Sequence, residues 1–280
     1  MATFSDKIRQ SIGAAGSTLC VGLDPHLHLL PSHLAEEFPD QNERVTYFLK
    51  KVIDITHPYC AAYKPNLAFF EALGRQGLET FSQVLEYIPT NKIVIADAKR
   101  GDIGSTAANY KTAYFDHWDV DAITLNPLMG FETLESYFNY PEKAIYALTL
   151  TSNPGAADFL EKPFAGYRSM AEYIAANLER HQSNSKTALG LVVGATQPAH
   201  LESVLSQHRT SPLLIPGVGT QGGTVGELVS VLKDHSGIPL VSSSRSILFA
   251  GGDSTNWQEA VLEKVTSYRE QLTPITERYA

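Results

Sequence analysis

Eight short apolar, β-rich runs recur along the chain, each followed by a polar loop and then a stretch with helical spacing. They are Thr18–Leu23, Ala61–Lys64, Lys92–Ala98, Ala122–Asn126, Ala144–Leu150, Leu189–Gly194, Leu213–Pro216 and Pro239–Ser243, and a last helix is expected from Asn256 to about Leu272. The runs are continuously apolar, as strands buried on both faces of a parallel sheet must be. Eight such units predict an α/β chain folded as a single (β/α)8 TIM barrel, and the 280 residues suit the roughly 250 typical of that fold. A doubly wound open sheet competes, but it usually carries a Gly-rich turn after its first strand. Here the first strand ends in Leu23-Asp24-Pro25. No Gly/Ser/Pro linker divides the chain, so residues 1–280 are expected to form one domain. Pro25–Gln41, with three prolines, reads as the longest irregular stretch.

Composition narrows the classes of partner. The balance of 22 basic and 30 acidic side chains, net −8, supplies no general field for nucleic acid or an anionic membrane. An anionic ligand must then be caught locally. Cys20 and Cys60 are too few for a disulfide framework and sit in apolar runs, where buried free thiols are expected. Met1–Gly16 has scattered charges and no apolar h-region, and no run approaches the ~18 apolar residues of a membrane span. A cytoplasmic protein is the expectation.

In a barrel of this kind the C-terminal strand ends face the active site, and polar groups concentrate there. Strand one ends in Asp24, strand two in Lys64, and strand three in Asp97-Ala98-Lys99-Arg100-Gly101-Asp102, which leads through Ile103-Gly104-Ser105-Thr106 into a helix. Strand five leads to Ser152-Asn153-Pro154-Gly155, strand seven to Pro216-Gly217-Val218-Gly219-Thr220-Gln221-Gly222-Gly223, and strand eight to Ser242-Ser243-Ser244-Arg245. The last two loops suit phosphate: glycines let backbone N–H groups approach an anion, a helix N-terminus adds positive charge, and Arg245 offers a bidentate fork. Residues 97 and 99, two apart on a strand, are expected to share a face and aim opposite charges into the barrel mouth. Burying such charges without a function is costly. A structural ion pair at the rim is the plainer explanation, and a lone Lys64, Asp24 or Asp102 is often only a solvated loop charge.

These residues resemble the orotidine 5'-phosphate decarboxylase family, and within it the type 2, bacterial-type group. The resemblance runs through Val21-Gly22-Leu23-Asp24-Pro25, Tyr63-Lys64-Pro65-Asn66 with Phe69-Phe70-Glu71, Asp97 to Thr106, Leu125-Asn126-Pro127, Thr151-Ser152-Asn153-Pro154-Gly155 and Pro216-Gly217-Val218-Gly219. It covers roughly Leu19 to Leu248, with the strand-three motif the most specific. The better-known group has bulkier residues where Arg100-Gly101 stands here. The resemblance implies a cofactor-free, metal-free carboxy-lyase of pyrimidine biosynthesis that converts orotidine 5'-phosphate to UMP. In that scheme Lys99 protonates a C6 carbanion and Asp97 sits near the substrate carboxylate. Lys64 and Asp102 complete an alternating array. Asp24 with Lys64 holds the ribose, Ser152 contacts the pyrimidine, and Gln221 and Arg245, with the loop of Pro216, Gly217 and Gly219, hold the phosphate. Asp102 and Thr106 would reach into a neighbour's site, which implies a homodimer with shared active sites.

Three other chemistries share these features. A sugar-phosphate decarboxylase or aldolase of the same superfamily needs Mg²⁺ and further carboxylates, yet Lys64 and the neutral Asn126 stand at the neighbouring strand ends. A Schiff-base aldolase needs a lysine with a depressed pKa, which Asp97 and Asp102 oppose. A non-catalytic phosphoribosyl-ligand sensor gains nothing from an aspartate beside a carboxylated ligand. His26-x-His28 as a metal pair lacks a third nearby ligand in sequence.

Overall fold

The computed structural model describes residues 2–195, 198–217 and 224–280, with side chains at all of these but 198 and 199. Eight parallel strands form a closed barrel in chain order: β1 (Leu19–Leu23), β2 (Ala62–Pro65), β3 (Ile93–Arg100), β4 (Ala122–Leu125), β5 (Ala144–Leu150), β6 (Ala188–Val193), β7 (Leu213–Pro216) and β8 (Pro239–Ser243). The (β/α)8 expectation holds, with strand ends within two residues of those read from the sequence. β1, β2, β4 and β8 are buried at every position. Both faces of these strands are therefore covered, which is why the runs read as continuous rather than alternating.

By proximity the chain divides into two compact units. One comprises Arg9–Ala98 with Ser243–Arg278. In it β1 and β2 pair in register from Cys20↔Ala62 to Leu23↔Pro65. The helix Gln41–Thr56 starts at Asp40, whose carboxylate accepts from the N–H groups of Asn42 and Glu43, and it buries Val45, Phe48, Leu49, Val52 and Ile53. That i, i+3, i+4, i+7 stripe is what an amphipathic helix lays on a sheet. Phe48 packs against Trp257 at a ring separation of 4.9 Å and stacks on Phe249 at 5.7 Å. Cys20 and Cys60 are buried free thiols as expected, and burial pushes the Cys60 thiol up to about 11.

The other unit comprises Lys99–Ser242 with the N-terminal residues through Ile8 and Tyr279. β4 to β8 pair in sequence, from Ala122↔Ala144 to Pro216↔Ser242. Gly190 is required here, because a Cβ would lie 2.6 Å from the ring of Tyr146. Among the described helices none is long and apolar enough to cross a membrane.

Two expectations need correction. The stretch 25–41 is not wholly irregular: a 3-10 turn spans Leu27–Leu29 and a helix spans His33–Glu37. Both are too short for a periodic signal, and Pro31 sits between them. The final helix is followed by another, Thr273–Tyr279, with Pro274 in its first turn, where the proline nitrogen has no intrahelical hydrogen bond to lose.

Candidate active site

In the unit built on β1 and β2, charges collect at the strand ends. Lys64 Nζ donates to Asp97 Oδ2 at 2.7 Å, and each side chain is only 9% exposed. Burial is the largest single influence and opposes the ammonium, but the Asp97 and Asp24 charges, the hydrogen bond to Asp97 and a smaller contribution from Cys20 together outweigh it, so the Lys64 pKa is raised well above the ordinary lysine value. This lysine stays charged. The Oδ1 of Asp24 is buried with no hydrogen-bond partner among the described residues, and so is the hydroxyl of Ser244. A buried acceptor without a donor costs about 1–3 kcal/mol. These two oxygens, that of Asp24 close enough to Lys64 to raise its pKa, are therefore suited to hydroxyl or N–H donors of a ligand. Gly22 lets Ser244 come this close to β1, since a Cβ there would lie 2.7 Å from the Ser244 Cβ.

The end of β8 adds Arg245, exposed, at the start of the one-turn helix Arg245–Leu248. His26 is half-buried against Phe69 at a ring separation of 4.5 Å. Its pKa is lowered by burial first and by the Arg245 charge second, with Asp24 opposing. His26 and His28 are ring neighbours 5.6 Å apart. Among the described residues no group of three or more His, Cys, Asp or Glu side chains is arranged to hold a metal ion.

In the other unit, Lys99 is exposed and has a φ of 47°. A left-handed conformation at a lysine costs about 1–2 kcal/mol relative to the ordinary regions. It also breaks the strand alternation on which the shared-face reading of 97 and 99 depended. The Lys99 amide donates to Thr124 Oγ1 at 2.9 Å, and the Asn126 amide donates to the Arg100 carbonyl at 2.8 Å. Gly101 then runs so close to β4 that a Cβ would lie 2.7 Å from the Asn126 carbonyl oxygen. The Arg100-Gly101 departure is thus fitted to this backbone.

Asp102 is half-buried and accepts from the Ile103 amide at 2.8 Å, while Thr106 is exposed in the first turn of the helix Gly104–Lys111. Ser152 is half-buried, and Gly194 admits it: a Cβ there would lie 2.9 Å from the Ser152 amide. Pro216 and Gly217 are half-buried at the end of β7, and the φ of 91° at Gly217 favours glycine. Gly219 and Gln221 lie outside the described residues. The helix after that loop, Val225–Val231, begins in a Thr224–Glu227 capping box.

Thr124 was missed in the sequence, and Ser244 was named only as part of the strand-eight end, without a role. A threonine inside Ala-Ile-Thr-Leu was the available signal, because a buried hydroxyl must find a partner.

The family model described as orotidine 5'-phosphate decarboxylase / HUMPS family matches residues 17–260. The chain belongs to this family. It is 40% identical over 256 residues to the orotidine 5'-phosphate decarboxylase of Herpetosiphon aurantiacus, covering 90% of this chain and 91% of that one. Its identity to the enzyme of that name from Dehalococcoides mccartyi is 36% over 279 residues, 99% of each chain. Among solved structures, the Leishmania donovani OMP decarboxylase superposes with a TM-score of 0.77 at 33% identity, covering 96% of this chain and 99% of that one. The Leishmania donovani UMP synthase gives a TM-score of 0.78 at 34% identity, with 96% of this chain matching 57% of that longer one.

Proposed function

We propose that this chain is a carboxy-lyase that converts orotidine 5'-phosphate to UMP and CO₂, in the cytoplasm, without cofactor or metal, with residues 1–280 acting as one barrel domain. The observation that carries the reading is the buried Asp97 carboxylate, paired with Lys64 at 2.7 Å, with Lys99 two residues further along the same strand. A site that only bound a carboxylated ligand would be weakened by that aspartate. A site that expels the carboxylate as neutral CO₂ is not.

In this mechanism the bond from C6 of the pyrimidine to the carboxylate breaks, and its electron pair stays on C6. The Lys99 ammonium stabilises that pair electrostatically and then delivers a proton to it, leaving a neutral amine that water reprotonates. Two like charges 4 Å apart repel by ~4 kcal/mol at an effective dielectric of 20. Lys64, paired with Asp97, offsets part of that repulsion, and loss of CO₂ relieves the rest. Asp24 Oδ1, lacking a donor among the described residues, is suited to a ribose hydroxyl, with Lys64 beside it. Ser152 contacts the pyrimidine, and Pro216, Gly217, Gly219, Gln221 and Arg245 take the phosphate. The binding energy of that remote group holds the base in place. Asp102 and Thr106 serve the neighbouring site of a homodimer.

The test is loss of the orotate chromophore when purified protein meets orotidine 5'-phosphate in EDTA, with Lys99→Ala alongside. Metal-independent turnover by the wild type, and a loss of at least about a hundredfold in the variant while UMP still binds, is expected for a proton donor. Turnover by the wild type only with added Mg²⁺, or binding without turnover, would overturn the reading.

A further inference from the structure

Of the residues given a chemical role above and described here, only Lys99 combines a side chain with a left-handed backbone, at φ 47°. The direction of its Cα–Cβ bond, and so the reach of its four-carbon stem, differs from what an extended residue at that place would give. Its amide donates to the Thr124 hydroxyl oxygen at 2.9 Å, and Thr124 is 1% exposed on β4. One residue on, the Asn126 amide donates to the Arg100 carbonyl at 2.8 Å, so a backbone link follows the side-chain link. Thr124 also pairs across from Tyr146 on β5, which fixes its own strand in register. Valine has the same shape and suits a buried strand equally well, but it has no oxygen to accept the lysine amide.

We infer that Thr124 is a positioning residue: its hydroxyl oxygen holds the left-handed turn at Lys99 and thereby sets where the ammonium is aimed. The assignment rests on the reading of Lys99 as proton donor. Thr124 touches backbone, so its effect belongs in the chemical step and not in the phosphate or ribose contacts that bind substrate.

The experiment compares Thr124→Val, Thr124→Ser and Lys99→Ala with the wild type, reading kcat and KM for orotidine 5'-phosphate, the thermal midpoint, and the ¹H–¹⁵N shift of the Lys99 amide. Misplacement of a reacting group by about 1 Å can cost about a hundredfold. Thr124→Val is therefore expected to lower kcat by about ten- to a hundredfold with KM little changed and the Lys99 amide proton shifted upfield, while Thr124→Ser keeps most of kcat and the wild-type amide shift. Wild-type kcat in Thr124→Val beside an inactive Lys99→Ala would overturn the positioning role and leave the proton donor standing. Wild-type turnover by Lys99→Ala would overturn the donor reading, and the positioning role with it. Equal losses of kcat, KM affinity and thermal midpoint in both Thr124 variants would make Thr124 a packing residue and also overturn the inference.

Discussion

The two ends of the strands use lysine in opposite ways. At the start of β5, Lys143 is buried and its Nζ donates to the Val120 carbonyl at 2.9 Å and to the exposed Asp119 carboxylate at 2.5 Å. Just before β3, Lys92 donates to the Cys60 carbonyl at 2.9 Å, and Lys7 pairs with Asp121 ahead of β4. These lysines close off carbonyls and carboxylates of the strand entrances. At the C-terminal end, Lys64 meets a carboxylate as buried as itself, and the nearby Asp24 Oδ1 finds no donor among the described residues. Satisfied polar groups at one end and a charged, under-satisfied set at the other are what separates stability from function in such barrels. The general lesson is that a buried charge must be judged by what its partners still lack, not by burial alone.

The sharpest way to break the comparison is Asp97→Ala. Removing one partner of a buried pair costs about 3–5 kcal/mol, so a large fall in the urea midpoint is expected together with loss of turnover. The double variant Lys64→Met/Asp97→Leu removes both charges, and apolar replacement of a buried pair is often neutral or stabilising. Its midpoint should return near that of the wild type while turnover stays absent. Turnover in the double variant would make this pair structural, like those at the strand entrances.

Lys143→Met probes the other end. Leaving the Val120 carbonyl without its donor is expected to cost about 1–3 kcal/mol in chemical denaturation, with kcat unchanged. A loss of kcat at constant stability would erase the distinction between the two ends.

The last expected effect comes from pH and falls on stability alone. Burial pushes the His208 imidazole down to about 4, outweighing its contact with the Leu189 backbone. Its Nδ1 lies against the carboxylate of Glu179, but that group is half exposed and burial prevails, so the native ring is neutral. The unfolded chain takes up this proton near 6.5, and between 6.5 and about 4 it binds more protons than the native state. Stability therefore falls as pH falls through that window, by at most about 1.4 kcal/mol per pH unit and roughly 3 kcal/mol in all. His208→Gln should flatten this part of the stability–pH curve in denaturation series. An unchanged slope would mean that Glu179 keeps the native ring charged.

Much of this was legible in the chain. Strand runs and the charges at their ends depend on local period and on covalent spacing, so Asp24, Lys64, the Asp97–Asp102 motif, Ser152 and Arg245 could be assigned to strand ends without coordinates. The short helix His33–Glu37 could not, because five residues carry too little periodicity.

By itself, then, the sequence determined eight buried parallel strands and an array of charges at their C-terminal ends. Only the tertiary structure decided that Lys64 holds Asp97, 33 residues away, that Asp24 Oδ1 finds no partner among the described residues, and that Lys99 turns left-handed against a hydroxyl 25 residues on. The physical reason is register. A one-residue slip of a strand leaves its apolar pattern almost unchanged when both faces are buried, yet it exchanges every partner at its end, so the pairing of charges is fixed by packing and not by the local code.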